Sequence, residues 1–171
     1  MAYENINVNK LRSALNKIDN INSNSLENLN NKLSNSEWSG GIVARIKNAT
    51  NKNISEINQI KRKIIKYKEV CNYIEEYQEL EEELEKCNSS LSSYNFDRNR
   101  YKDKLNSYRN IMKNYSQDKS SIKKSYTKNE IQNYSSRLYD INSKISNVNS
   151  TITSIKAKQQ TLKTKIENLI S

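Results

Sequence analysis

Between Ile131 and Leu169 the residues at positions 131, 134, 138, 141, 145, 148, 152, 155, 159, 162, 166 and 169 are Ile, Tyr, Leu, Ile, Ile, Val, Ile, Ile, Gln, Leu, Ile and Leu. This 3-4 alternation, with Gln159 as its one polar member, is the pattern of a coiled-coil seam. Proline is absent and glycine occurs only at Gly40 and Gly41. Sandwiches, barrels and doubly wound folds need turn residues roughly every 8 to 12 positions, or Gly-rich βα loops, and this chain has neither. The expected fold is all-α: elongated antiparallel helical hairpins forming a coiled-coil bundle, with N- and C-terminal helices packed along a long central one.

Two further seams run upstream. Leu80, Leu84, Cys87, Leu91, Tyr94, Arg98, Tyr101, Leu105, Tyr108, Met112 and Tyr115 keep the alternation through the Ser/Asn-rich stretch 88–95, and Ile57, Ile60, Ile64, Tyr67, Cys71, Ile74 and Tyr77 join them through a 3-3 step. One central helix over about 41–115 is favoured, with a break near 88–95 as the alternative. Leu11, Leu15, Ile18, Leu26, Leu29 and Leu33 have the spacing of an amphipathic helix with a weak patch at Asp19–Ser25. Thr127 and Glu130 have the spacing of a capping box, which puts the start of the last helix near 127. By length, the two outer helices would tile end to end along the middle one.

The missing residues also bound the chemistry. There is no histidine, so imidazole bases, Ser-His-Asp or Cys-His nucleophiles and His metal ligands are excluded. Two adjacent glycines cannot form a phosphate-cradling loop or a dinucleotide fingerprint. Cys71 and Cys87 are 16 residues apart, roughly 24 Å along one helix, which is out of disulfide reach and reads as two small core residues. The i, i+4 acids Glu75/Glu79 and Glu79/Glu83 are candidate paired carboxylates, and a thin bundle offers no desolvated cleft to separate their pKa values. No enzyme, metal or cofactor is expected. No signal-peptide pattern opens the chain and no window approaches about 18 apolar residues. Synthesis in the cytoplasm without a cleavable signal, and no membrane span, are therefore expected.

Charge is uneven. Residues 1–91 hold 13 Lys/Arg and 13 Asp/Glu, while residues 92–171 hold 16 and 6, so the whole excess of +10 lies in the second half. The seven acids between Glu75 and Glu85 read as a solvated helix face or an acidic docking surface. Tyr94, Tyr101, Tyr108 and Tyr115 recur every seven residues among Arg98, Arg100, Lys102, Lys104, Arg109 and Lys113. Such interleaving suits single-stranded nucleic acid. The strict period instead points the rings at a helix partner, and that reading ranks above nucleic acid.

The only Trp and both glycines sit together in Asn35-Ser36-Glu37-Trp38-Ser39-Gly40-Gly41, where one apolar period ends and the next begins. Glycine permits the positive φ of a tight helical hairpin, and Trp38 can plug the open end of the helix pair. Trp38-Ser39-Gly40 between two helices resembles the W-x-G turn of the WXG family, the small helical-hairpin substrates of bacterial type VII secretion. That family's second element, Y-x-x-x-D/E, is matched by Tyr77-Gln78-Glu79-Leu80-Glu81, 39 residues after Trp38. The likeness covers about residues 1–90, and in length the chain is more similar to the longer helical proteins that accompany LXG toxins.

This resemblance implies a WXG-like hairpin over 1–91 with its turn at 36–41; charge and periodicity, not the resemblance, suggest a basic coiled-coil hairpin over 92–171 with its turn near 116–127, continuous with the first if the central helix is unbroken. The resemblance further implies an export signal at Tyr77 and Glu81 and a secreted or secretion-escorting role. The partners it implies are an LXG-type toxin N-terminal domain or a WXG-like protein, and the secretion machinery. Ile57, Ile60 and Ile64 are candidates both for that interface and for the internal core. A homodimer, or a cytosolic basic coiled coil that scaffolds itself or binds nucleic acid, is the competing expectation.

Overall fold

The 3-4 repeats become four helices in the computed structural model, which describes Tyr3 and residues 5–20, 24–35, 40–115 and 121–171. Helix α1 spans Val8–Asp19, α2 Asn24–Ser34, α3 Gly41–Asn114 and α4 Ser121–Ile170, and no strand occurs among the described residues. The protein is all-α, with the long central helix α3 packed against the C-terminal helix. Contacts divide the chain into two units, residues 1–79 with 161–171, and residues 80–160. The last turns of α4 group with the N-terminal segment.

Residues 80–160 form an antiparallel pair of α3 and α4. Contacts that run forward along α3 run backward along α4. Gln159 donates to the Glu81 carboxylate, Lys144 lies 5.8 Å from the Tyr94 ring centroid, and Tyr101 meets Tyr134 at 6.1 Å. Leu80, Leu105, Ile141, Ile145 and Ile155 are buried along this line. Every seam position from Leu80 to Tyr115 is buried or half-buried, so α3 passes 88–95 without the alternative break. Side-chain packing outweighs the poor helix propensity of the Ser/Asn run there.

Helix α4 starts six residues earlier than the capping-box spacing suggests. Thr127 is interior to it, 3% exposed, and its hydroxyl donates to the Lys123 carbonyl at 2.9 Å. A threonine can return its hydroxyl to the i−4 carbonyl and so sit inside a helix rather than cap it. Ser135, Ser150, Thr151 and Thr153 do the same.

The other unit packs α1, α2 and the last turns of α4 on α3. Asn7 caps α1, its Oδ1 accepting the Lys10 amide at 2.9 Å. The expected single helix through Leu33 is instead two, with α1 ending at Asp19 and α2 starting at Asn24. The Asp19–Ser25 stretch is rich in Asn, Ser and Asp, whose side chains compete with the helix for backbone hydrogen bonds. Helix α1 runs antiparallel to α3: Tyr3 meets Tyr77 edge-to-face at 5.5 Å, Arg12 pairs with Glu75 and Asp19 with Lys68. Farther along, Asn30 of α2 donates to Asn51 at 2.9 Å.

The end of α4 packs on the same part of α3 as α1 does. Lys163 lies over the Tyr77 ring and Lys165 over Tyr73, with Leu162 and Ile166 buried. The outer helices therefore overlap on α3 instead of tiling end to end. Two helices on one stretch demand a wider apolar face than a two-helix seam, and α3 supplies it by burying the neighbours Val70 and Cys71 together with Ile64, Ile74 and Tyr77. Cys71 is fully buried, and burial pushes its thiol pKa up, as suits a small core residue. Ile166 is 1% exposed. Ile166→Ala is expected to cost about 2–5 kcal/mol in a chemical-denaturation measurement, by cavity formation in this unit.

Candidate functional site

Among the described residues no group of three His, Cys, Asp or Glu side chains could hold a metal ion. The candidate site is a set of surfaces, and the structure distributes the expected residues among them unequally.

The turn comes first. Trp38 lies outside the described residues. Gly40 has φ +149°, a backbone conformation that L side chains rarely adopt, and its carbonyl accepts the Ala44 amide at 3.2 Å as α3 begins. Gly41 is the first residue of α3, with open space where a Cβ would stand. The two glycines thus differ in role. Gly40→Ala is expected to lower stability by about 1 kcal/mol, whereas Gly41→Ala leaves it unchanged or raises it by about 0.5 kcal/mol, which paired thermal melts resolve.

The expected interface residues separate as well. Ile64 is 3% exposed and belongs to the internal core, whereas Ile57 is half-buried and Ile60 is 49% exposed. With Ile18 of α1 and Lys61, Ile57 and Ile60 line a shallow apolar depression of about 20 Å³. On the same face of α3, Ile42 and Ile46 are also exposed. Beside them Asn30 of α2 donates to Asn51, Thr50 is buried, and Val43 and Ile54 are half-buried.

Tyr77 and Glu81 are i, i+4 on α3, but their surroundings differ from an open receptor face. The Tyr77 ring is 5% exposed, edge-on to Tyr3 with Lys163 above it. The Glu81 carboxylate is half-buried and accepts from Gln159.

The acidic block is partly engaged. Nη1 and Nη2 of Arg12 donate to the two Glu75 oxygens at 2.8 Å, and Nη2 also donates to the side-chain Oδ1 of Asn72 at 2.8 Å. This bidentate hydrogen bonding holds the Glu75 carboxyl below its usual value of 4.5 and raises Arg12. Sequence reasoning missed Arg12, as it missed Lys68 with Asp19 and the Tyr3 cover of Tyr77. All are contacts across long sequence separations, with no local pattern to reveal them.

In the basic half, the heptad tyrosines face α4. The rings of Tyr108 and Tyr134 stack at 5.7 Å, and Arg137 lies 5.9 Å from the Tyr101 centroid and 5.7 Å from that of Tyr134. These rings are seam residues, and their faces are already covered.

Comparison with known protein families, curated proteins and solved structures finds no match to this chain.

The Glu75 carboxyl has a lowered pKa in the folded state, so its stabilising contribution is present above the ordinary value of 4.5 and is lost as pH falls through the lowered one. Thermal melts of the wild type and Glu75→Gln are expected to differ by a constant amount above about pH 5 and to converge in more acidic buffer.

Proposed function

We propose that this chain is a non-enzymatic binding protein that takes a helical protein partner side by side. In this reading it serves a type VII-like secretion system, either as a substrate or as the adaptor that brings a helical toxin domain to the exit. The observation that carries the binding role is the aliphatic face of α3 between Gly41 and Ile60. There Ile42 is 75% exposed, Ile46 41% and Ile60 49%. An amphipathic partner helix laid on Ile57 and Ile60 would complete what two helices leave open. The secretion role rests on the W-x-G likeness at Trp38–Gly40 and on the Tyr77–Glu81 spacing.

Tyr77, lying under Tyr3, becomes available to a receptor only when the residues ahead of α1 move off it. The export element is therefore masked in the free chain and exposed during hand-over to the machinery. No cofactor enters this scheme. The covered tyrosine faces weigh against nucleic acid as the natural ligand of the basic half.

The test is a tagged pull-down from the native cell with mass spectrometry, run for the wild type and for Ile60→Asp. A stoichiometric helical partner is expected with the wild type, reduced about tenfold or more in the variant because a charge then lies in the interface core. Equal recovery by Ile60→Asp, or recovery of the chain alone as a homodimer or with nuclease-sensitive nucleic acid, would overturn the reading. Export into the medium is assayed alongside with Tyr77→Phe and Glu81→Gln. Phenylalanine keeps the ring that the core requires, so a loss of export there reports on signalling and not on unfolding.

A further inference from the structure

The region where α3 stops and α4 begins combines exposed cations with exposed aliphatic and aromatic side chains. Residues 108–128 carry six Lys/Arg against one Asp. Of these cations Arg109, Lys123, Lys124 and Lys128 are exposed. Among them stand Ile122, 83% exposed, Tyr126, 60% exposed, and Ile111, 38% exposed. Together with Tyr108, Tyr115 and Lys123 these side chains border an open depression of about 420 Å³. Ile122 and Tyr126 are i, i+4 on α4, as Ile111 and Tyr115 are on α3, so each helix contributes one aliphatic and one aromatic side chain from a single face.

We propose that this end of the 80–160 unit is a peripheral docking surface for an anionic lipid bilayer. Aliphatic side chains gain by leaving water at headgroup depth, tyrosine rings favour the same layer, and lysines place their ammonium groups on lipid phosphates while their stems lie along the apolar boundary. The cluster of like charge supplies the long-range attraction, and the apolar residues hold the contact at short range.

A nucleic acid fits less well: Tyr101 and Tyr108 both meet Tyr134, and beside the exposed Tyr126 ring stand Ile111 and Ile122, which offer nothing to a base. The docking is superficial: no described helix is long and apolar enough to cross a membrane.

The test is cosedimentation of the full chain with sucrose-loaded vesicles of phosphatidylcholine alone, and of equal parts phosphatidylcholine and phosphatidylserine, at about 0.15 M ionic strength. Binding to the anionic vesicles is expected to be stronger by on the order of a hundredfold. Ile111→Asn with Ile122→Asn is expected to weaken it about tenfold, and Ile122→Asn alone, at a side chain 83% exposed, to weaken it with circular dichroism and melting unchanged. Replacing Lys123, Lys124 and Lys128 by Gln is expected to weaken it at least as much and to flatten its salt dependence. Absence of binding to anionic vesicles would overturn the proposal. So would binding indifferent to the isoleucine pair, which is charge attraction alone, or tighter binding of a mixed-sequence single-stranded oligonucleotide through the same lysines.

Discussion

The apolar line that α3 and α4 share is the interaction on which the rest of the molecule depends. Only 34% of the residues are hydrophobic, and neither proline nor a spread of glycines is available to fold the chain back on itself repeatedly. Burial must therefore come from long helices laid antiparallel, each offering one residue in every three or four. In the 80–160 unit that line is a two-helix seam, closed by Leu105, Ile141, Ile145 and Ile155. In the other unit it gains α1, so α3 must bury Val70 beside Cys71, and the core there is three helices thick around Ile74 and Ile166. Toward the start of α3 its isoleucines at 42, 46 and 60 stay exposed, and that exposure is the physical basis of the proposed binding role.

What the residue pattern made legible follows directly from this. A seam is a local, periodic property, so Ile131–Leu169 could be read position by position, and all of its members are buried or half-buried. Gln159, its one polar member, is buried too and finds Glu81, a pairing visible only once the register of the two helices is known. The helix ends were less legible because they are set by competition between side chain and backbone. Asp19–Ser25 interrupts a helix that its leucine spacing would carry through, while Thr127 has a cap's neighbours yet sits inside a helix. The Arg12–Glu75 pair, 63 residues apart in sequence, had no signature at all.

The expected functional residues separate by the same logic. Tyr77 and Ile64 hold seam positions, and the core uses them; Ile57 and Ile60 hold seam positions where the core has thinned, and they stay accessible. Gly40 is needed for its backbone and Gly41 is not. The heptad tyrosines, set among cations, turn inward to α4, which moves the interest of the basic half from its rings to the exposed aliphatic and lysine-rich end.

Amide hydrogen exchange on the full chain, free and in complex with whatever partner it captures, tests the central claim most directly. The account predicts slow exchange over 64–79 and 94–105 in the free chain, faster exchange over 42–60, and a partner-induced slowing concentrated in 42–60. Uniform slow exchange along α3 in the free chain, or a partner that protects other segments while leaving 42–60 unchanged, would contradict it.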